Sequence, residues 1–186
     1  MTTVAHDRRA VARRLLLEHL SRDALEERAV ADTLALLDRA VDPFARTSLP
    51  GHVTGSAIVL DDARERVLVI WHPTLERWLQ PGGHSEPDDD SPRATAAREL
   101  AEETGVTVGR LAETSRLVHV DVHAIPARGA EPMHFHHDFR FVFTIAATAV
   151  PAGQDHVTWV PIDGLASRDA DASLRAAVAR AVREGE

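Results

Sequence analysis

The chain has 186 residues, of which 44% are apolar, and a formal net charge of −8 at pH 7. That balance fits a globular protein with a real core and offers no general attraction for nucleic acid, so a phosphorylated substrate calls for a metal or for local arginines. Cysteine is absent, which excludes disulfides, thiolate metal sites and a cysteine nucleophile, and no apolar run approaches the roughly 20 residues of a membrane helix, so a cytoplasmic protein without a membrane partner is expected.

From Val4 to about Val41 the apolar residues recur at helical spacing: Val11, Leu15 and Leu16, then Val30, Leu34, Leu37 and Val41. Ser21 and Asp23 suit caps between two helices. Arg8, Arg9, Arg13 and Arg14 beside Leu15 to Leu17 faintly resemble a transit peptide, but Glu18, Asp23, Glu26 and Glu27 follow, and a folded helix is the better reading. Pro43 through Gly51 breaks the pattern, which divides the chain into an N-terminal helical extension, 1–45, and a main domain, 46–186. The extension reads as a packing layer, a cap over an active site or a homodimer contact.

Val53 to Leu60 and Val67 to Trp71 read as strands joined by the turn-like Asp61-Asp62-Ala63-Arg64. A short apolar segment at Trp78 and Leu79 leads into Pro81-Gly82-Gly83. Ser91 suits an N-cap and Pro92 the first helical position, so a helix is expected from there to Gly105. Leu117 to Ile125, Met133 to Ala146 and His156 to Ile162 read as strands, and Leu174 to Val182 as a closing amphipathic helix. Strands, one helix, more strands and a last helix suggest an α/β protein with a mixed sheet covered by helices.

The helix ending at Gly105 carries Glu99, Glu102 and Glu103 in its last turn and a half. Residues three and four apart project to neighbouring directions, where like charges repel, and negative charge opposes the dipole at a helix C-terminus. A hard divalent cation turns that liability into a binding site, because Mg²⁺ and Mn²⁺ favour clustered oxygen ligands. A calcium loop built from Asp88-Asp89-Asp90-Ser91 fails on spacing.

The stretch Gly82-Gly83-His84-Ser85-Glu86, followed by Arg98-Glu99-Leu100-Ala101-Glu102-Glu103-Thr104-Gly105-Val106, resembles the signature of Nudix hydrolases. The second half matches at every defined position. The first half carries an aspartate for the usual glutamate and is one residue long: counting forward from Gly83 reaches Asp89, counting back from Arg98 reaches Asp90, and Asp90 is taken as the counterpart. The resemblance implies an α/β/α sandwich and metal-dependent hydrolysis of a pyrophosphate bond in a nucleoside diphosphate linked to another group, or in a nucleoside triphosphate. It also implies that Glu99, Glu102, Glu103 and the carbonyl of Gly82 hold Mg²⁺ or Mn²⁺, and that Arg98 orients the loop by pairing with Asp90. The general base is open among a signature glutamate, Asp155 and Asp138. Intact carboxylates weigh against the alternative, a non-catalytic Nudix-fold nucleotide-binding regulator. A proline found some fifteen residues beyond the signature in the ADP-ribose branch is missing, as is the tyrosine of the diadenosine-polyphosphate branch.

Outside the signature, His119, Asp121 and His123 alternate along one expected strand, and His134, His136, Asp138 and Arg140 along another. A hairpin with its loop at 124–133 brings these sets onto one face, suited to phosphate, base or second-metal contact, with Phe135, Phe139, Phe141 and Phe143 on the other. A solvated polar sheet face is the competing reading. Trp78 suits stacking on a base, or a cleft wall, and His84 suits a phosphate contact, or loop packing.

Overall fold

The computed structural model describes residues 7–109, 115–168 and 170–183. Two helices open the chain, α1 (Arg8–Glu18) and α2 (Ala24–Arg39). Asp7 caps the first through Arg9 N and Ala10 N, and Asp23 caps the second through Glu26 N. β1 (Gly51–Asp61) and β2 (Arg66–His72) follow, then the short strands β3 (Arg77–Leu79) and β4 (Gly82–His84) and the helix α3 (Pro92–Thr104). The chain continues with β5 (Arg116–Ile125), β6 (His134–Ile145), β7 (Val157–Pro161), a 3₁₀ segment at Ile162–Arg168, and α4 (Ala172–Arg183).

The sheet is mixed, with order β3-β2-β1-β6-β5; β4 pairs with β1, and β7 with β2. β1 runs parallel to β6 in unbroken register, from Gly51 opposite Phe135 to Asp61 opposite Ile145. Every residue of β1 is buried, as expected of a strand covered on both faces. β5 and β6 form the expected hairpin, with His119 opposite Arg140, Asp121 opposite Asp138 and His123 opposite His136.

Two cores lie on opposite faces of this sheet. Val53, Ala57 and Val59 of β1 and Phe139, Phe141 and Phe143 of β6 join Ala12, Leu16, Leu37 and Leu100 in one of them, so the N-terminal helices and α3 share a core. Ile58, Leu60, Val67 and Val142 meet Leu174, Ala177 and Val178 of α4 in the other. The three phenylalanines are almost fully buried, and truncating any one to alanine costs about 3–5 kcal/mol.

The signature helix begins and ends where the sequence predicts. Ser91 Oγ accepts from Ala94 N at 3.2 Å, Pro92 takes the first turn, and Gly105 ends the helix at φ 70°, a left-handed geometry suited to glycine. A Cβ on Gly55 of β1 would lie 2.3 Å from the Pro92 carbonyl, so glycine is what lets α3 lie against the sheet. No helix among the described residues is long and apolar enough to cross a membrane.

Candidate active site

The last turns of α3 meet the glycines of β4. In the β1–β4 pairing Gly83 stands opposite Gly55, the position on which α3 rests. A Cβ on Gly83 would sit 2.4 Å from Glu99 Oε1, so any side chain there would push this carboxylate aside. The N–H of Gly82 donates to Glu103 Oε2 at 2.9 Å. The pair expected to form a glycine turn is therefore a short strand that touches two of the three signature glutamates.

Arg98 stands at the centre. Its Nε and Nη2 donate to the Asp89 carboxylate at 3.2 and 3.0 Å, Nη2 donates to the His84 carbonyl at 2.7 Å, and Nη1 donates to Glu99 Oε1 at 3.1 Å and Glu102 Oε2 at 3.0 Å. The expected pairing with Asp90 is corrected: Asp89 is the partner. Asp89 is buried and also accepts from Glu86 N at 2.9 Å and Thr95 Oγ1 at 3.0 Å, whereas Asp90 is exposed and accepts from Ser91 Oγ. Counting forward from Gly83 therefore finds the right residue, and the extra one lies between Asp89 and Arg98, where the chain enters the helix.

One guanidinium against Asp89, Glu99 and Glu102 leaves the cluster negative. Burial pushes the Glu103 carboxyl up to about 7, partly offset by the Gly82 N–H and reinforced by the charges of Glu99 and Glu102. Burial also raises Glu99, against the pull of Arg98. Two partly buried carboxylates held near one another, with too few cations and donors to satisfy them, fit a hard divalent ion. Trp71, His72, Glu103 and His156 line a cleft of about 340 Å³ beside this cluster.

The remaining predicted residues fall into four groups. Asp138 and Arg140 are fully engaged: Asp138 accepts from Thr54 Oγ1, Ser56 Oγ and Arg140 Nε at 3.1, 2.8 and 2.9 Å, and Arg140 also donates to Ser173 Oγ and Asp121 Oδ2. That network occupies both carboxylate oxygens of the buried Asp138, which weighs against it as the general base. Trp78 is half-buried, 5.5 Å edge-on from Trp71, with the Arg168 guanidinium over its ring. His84, His134 and His136 gather with His52, which sequence reasoning missed; alternation along Gly51-His52-Val53-Thr54 was the available signal, and the parallel pairing of β1 with β6 gives it meaning. Asp155 is exposed in the turn before β7.

The model of the NUDIX domain family matches residues 51–184. Among solved structures, the fold is similar to the NUDIX domain of Shewanella oneidensis NrtR complexed with ADP ribose, at 20% identity over 72% of this chain and 88% of that one, with a TM-score of 0.52. It is also similar to a MutT NUDIX hydrolase from Burkholderia pseudomallei (20% identity, 69% and 95% covered, TM-score 0.52). A third likeness is to the E. coli dihydroneopterin triphosphate pyrophosphohydrolase (17% identity, 71% and 95% covered, TM-score 0.50). No curated protein matches the sequence. The chain belongs to the Nudix hydrolase family, a class of pyrophosphohydrolases.

Proposed function

We propose that this protein hydrolyses a pyrophosphate bond in a nucleoside diphosphate linked to a second group, or in a nucleoside triphosphate, with Mg²⁺ or Mn²⁺ held by Glu99 and Glu103, by Glu102 directly or through water, and by the carbonyl of Gly82. The observation that carries this reading is the convergence of the α3 carboxylates on the β4 glycines with too little positive charge to balance them. When bound, the ion neutralises the two phosphates and lowers the pKa of a bound water. The residues themselves set the geometry. Arg98, clamped by Asp89 and the His84 carbonyl, holds the Gly82–His84 strand against α3 and steadies Glu99 through Nη1. The cleft beside Glu103, lined also by Ile70, His72 and His156, offers room for one end of the substrate next to the carboxylates.

The test is product analysis on nucleoside triphosphates, nucleotide sugars and dinucleotides with Mg²⁺ or Mn²⁺, comparing the natural chain with Glu103→Gln. Cleavage that vanishes in the variant supports the reading, and the preferred compound names the substrate. Equal turnover by the variant at saturating metal removes Glu103 from the mechanism, and no turnover across the panel moves weight to a nucleotide-binding regulator.

A further inference from the structure

A second cluster of ligating side chains lies on the other face of the sheet. Side chains alternate along β1, so His52, Thr54 and Ser56 point away from α3, which rests on Gly55. His52 stands opposite His136 of β6 in register, and His84 of β4 opposite Thr54. One ring nitrogen from each of His52, His84 and His136 falls within 4.8 Å of the other two. Nε2 of His136 lies 3.2 Å from Nε2 of His84 and 3.4 Å from Nε2 of His134. A tetrahedral Zn²⁺ with Zn–N bonds of about 2.0–2.1 Å spaces its nitrogens about 3.3–3.4 Å apart.

The outer ring nitrogens show which atoms carry lone pairs. His134 Nδ1 lies 2.9 Å from the Pro132 carbonyl, which can only accept, so the hydrogen is on Nδ1 and the lone pair of the neutral ring is on Nε2. His52 Nδ1 likewise faces the Ser48 carbonyl, at 3.5 Å, while its Nε2 is fully buried and has no hydrogen-bond partner among the described residues. A single N–H on His136 cannot satisfy the nitrogens of His84, His134 and His52 together. A ligating histidine that gives its other N–H to a backbone carbonyl is the usual arrangement around a bound metal.

We propose that His52, His84 and His136, flanked by His134, form a binding site for a borderline transition-metal dication such as Zn²⁺, separate from the carboxylate cluster of α3. The donors sort the metals: imidazole nitrogens suit Zn²⁺, Ni²⁺ or Cu²⁺, whereas the oxygens of Glu99 and Glu103 suit Mg²⁺ or Mn²⁺. An ion on the three rings ties β4 to β1 and β6. It thereby fixes the strand whose His84 carbonyl receives Arg98.

The test strips the full chain with a chelator, removes the carboxylate site by Glu99→Gln with Glu103→Gln, and titrates Co²⁺. The proposal expects one Co²⁺ per chain with the intense visible absorption of a tetrahedral, nitrogen-rich site, and an affinity about 100-fold or more weaker after adding His84→Ala, beyond the ~10–100-fold of outer-shell changes. No Co²⁺ binding by the double-glutamine chain with an intact far-UV spectrum, or equal affinity after His84→Ala, overturns it. X-ray absorption of the unmutated chain loaded with one equivalent of Zn²⁺ does not depend on the folding of any variant. Imidazole scattering from a nitrogen shell at about 2.0–2.1 Å supports the site, and an oxygen-only shell overturns it.

Discussion

Glu26 and Glu103 both sit on helices and both lose most of their water, yet the fold treats them in opposite ways. Glu26 on α2 accepts from His19, from the amides of Arg22 and Val120, and from Arg180 on α4. Burial alone would raise it, but these partners hold its carboxyl well below the usual range. Glu103 has the Gly82 amide, two neighbouring glutamates and no cation paired with it among the described residues, and burial drives it up to about 7. A carboxylate satisfied on every side ties the N-terminal helix to the sheet and the last helix. One left short of partners keeps lone pairs uncommitted, as the metal-binding role proposed for it requires.

The largest effect expected from breaking this comparison is at Glu26. Glu26→Gln leaves Arg180 buried and short of its counter-charge, so stability should fall by about 3–5 kcal/mol in urea titration, with the activity of the folded fraction retained. A loss below about 1 kcal/mol would deny Glu26 its tethering role. Glu103→Gln should do the reverse, lowering kcat by roughly 10²–10³ as expected for loss of a preorganised electrostatic group. Its effect on stability follows from linkage. The folded carboxyl titrates near 7 against 4.5 unfolded, so the protonated form's contribution is full below 4.5 and lost as pH rises through 7. At pH 8 in chelator the glutamine variant should therefore melt above the natural chain; melting below it would show that the ionised carboxylate is stabilising.

Histidines sharpen the same contrast at acid pH. Burial holds His119 and His137 down to about 4, with Arg140 adding to the effect on His119, while unfolded histidine titrates near 6.5. The unfolded chain takes up protons first as pH falls, so stability should be flat above about 6.5 and decline toward 4, by about 1–3 kcal/mol for each ring. In the Glu103→Gln variant, which removes the opposing titration of that carboxyl, denaturation midpoints that do not move between pH 7.5 and 4.5 would contradict this. The smallest effects separate two adjacent aspartates: Asp89→Asn should cost about 1–3 kcal/mol and loosen Arg98, whereas Asp90→Asn should stay within about 0.5 kcal/mol. Equal thermal shifts for the two would undo the assignment of Asp89.

The local features were legible because local chemistry sets them. Ser91, Pro92 and Gly105 bound α3, and alternation put His119, Asp121 and His123 on one face with His136, Asp138 and Arg140, which the structure pairs in register. What escaped depends on residues far apart in the chain. Asp89 and Asp90 are chemically identical neighbours, and only the turn into α3 decides which one meets Arg98. His52 gains its companions through a parallel pairing that no turn announces, and Glu26 reads as an ordinary acidic residue until Arg180, 154 positions later, comes to it. Alternation alone aims Asp138 and Arg140 at a substrate; the hydroxyls of Thr54 and Ser56, set beside them by the same pairing, close that network instead.

The parallel union of β1 and β6 also orders events during synthesis. β4 and α3 are both encoded between those two strands, so the ribosome releases the signature helix before one side of β1 has its permanent neighbour. Pairing across so long a crossover is slow, and until β6 arrives the largely apolar β1 presents an open edge to other chains. The β1 edge is therefore covered only once the segment ending at Ile145 has been made and has docked beside it.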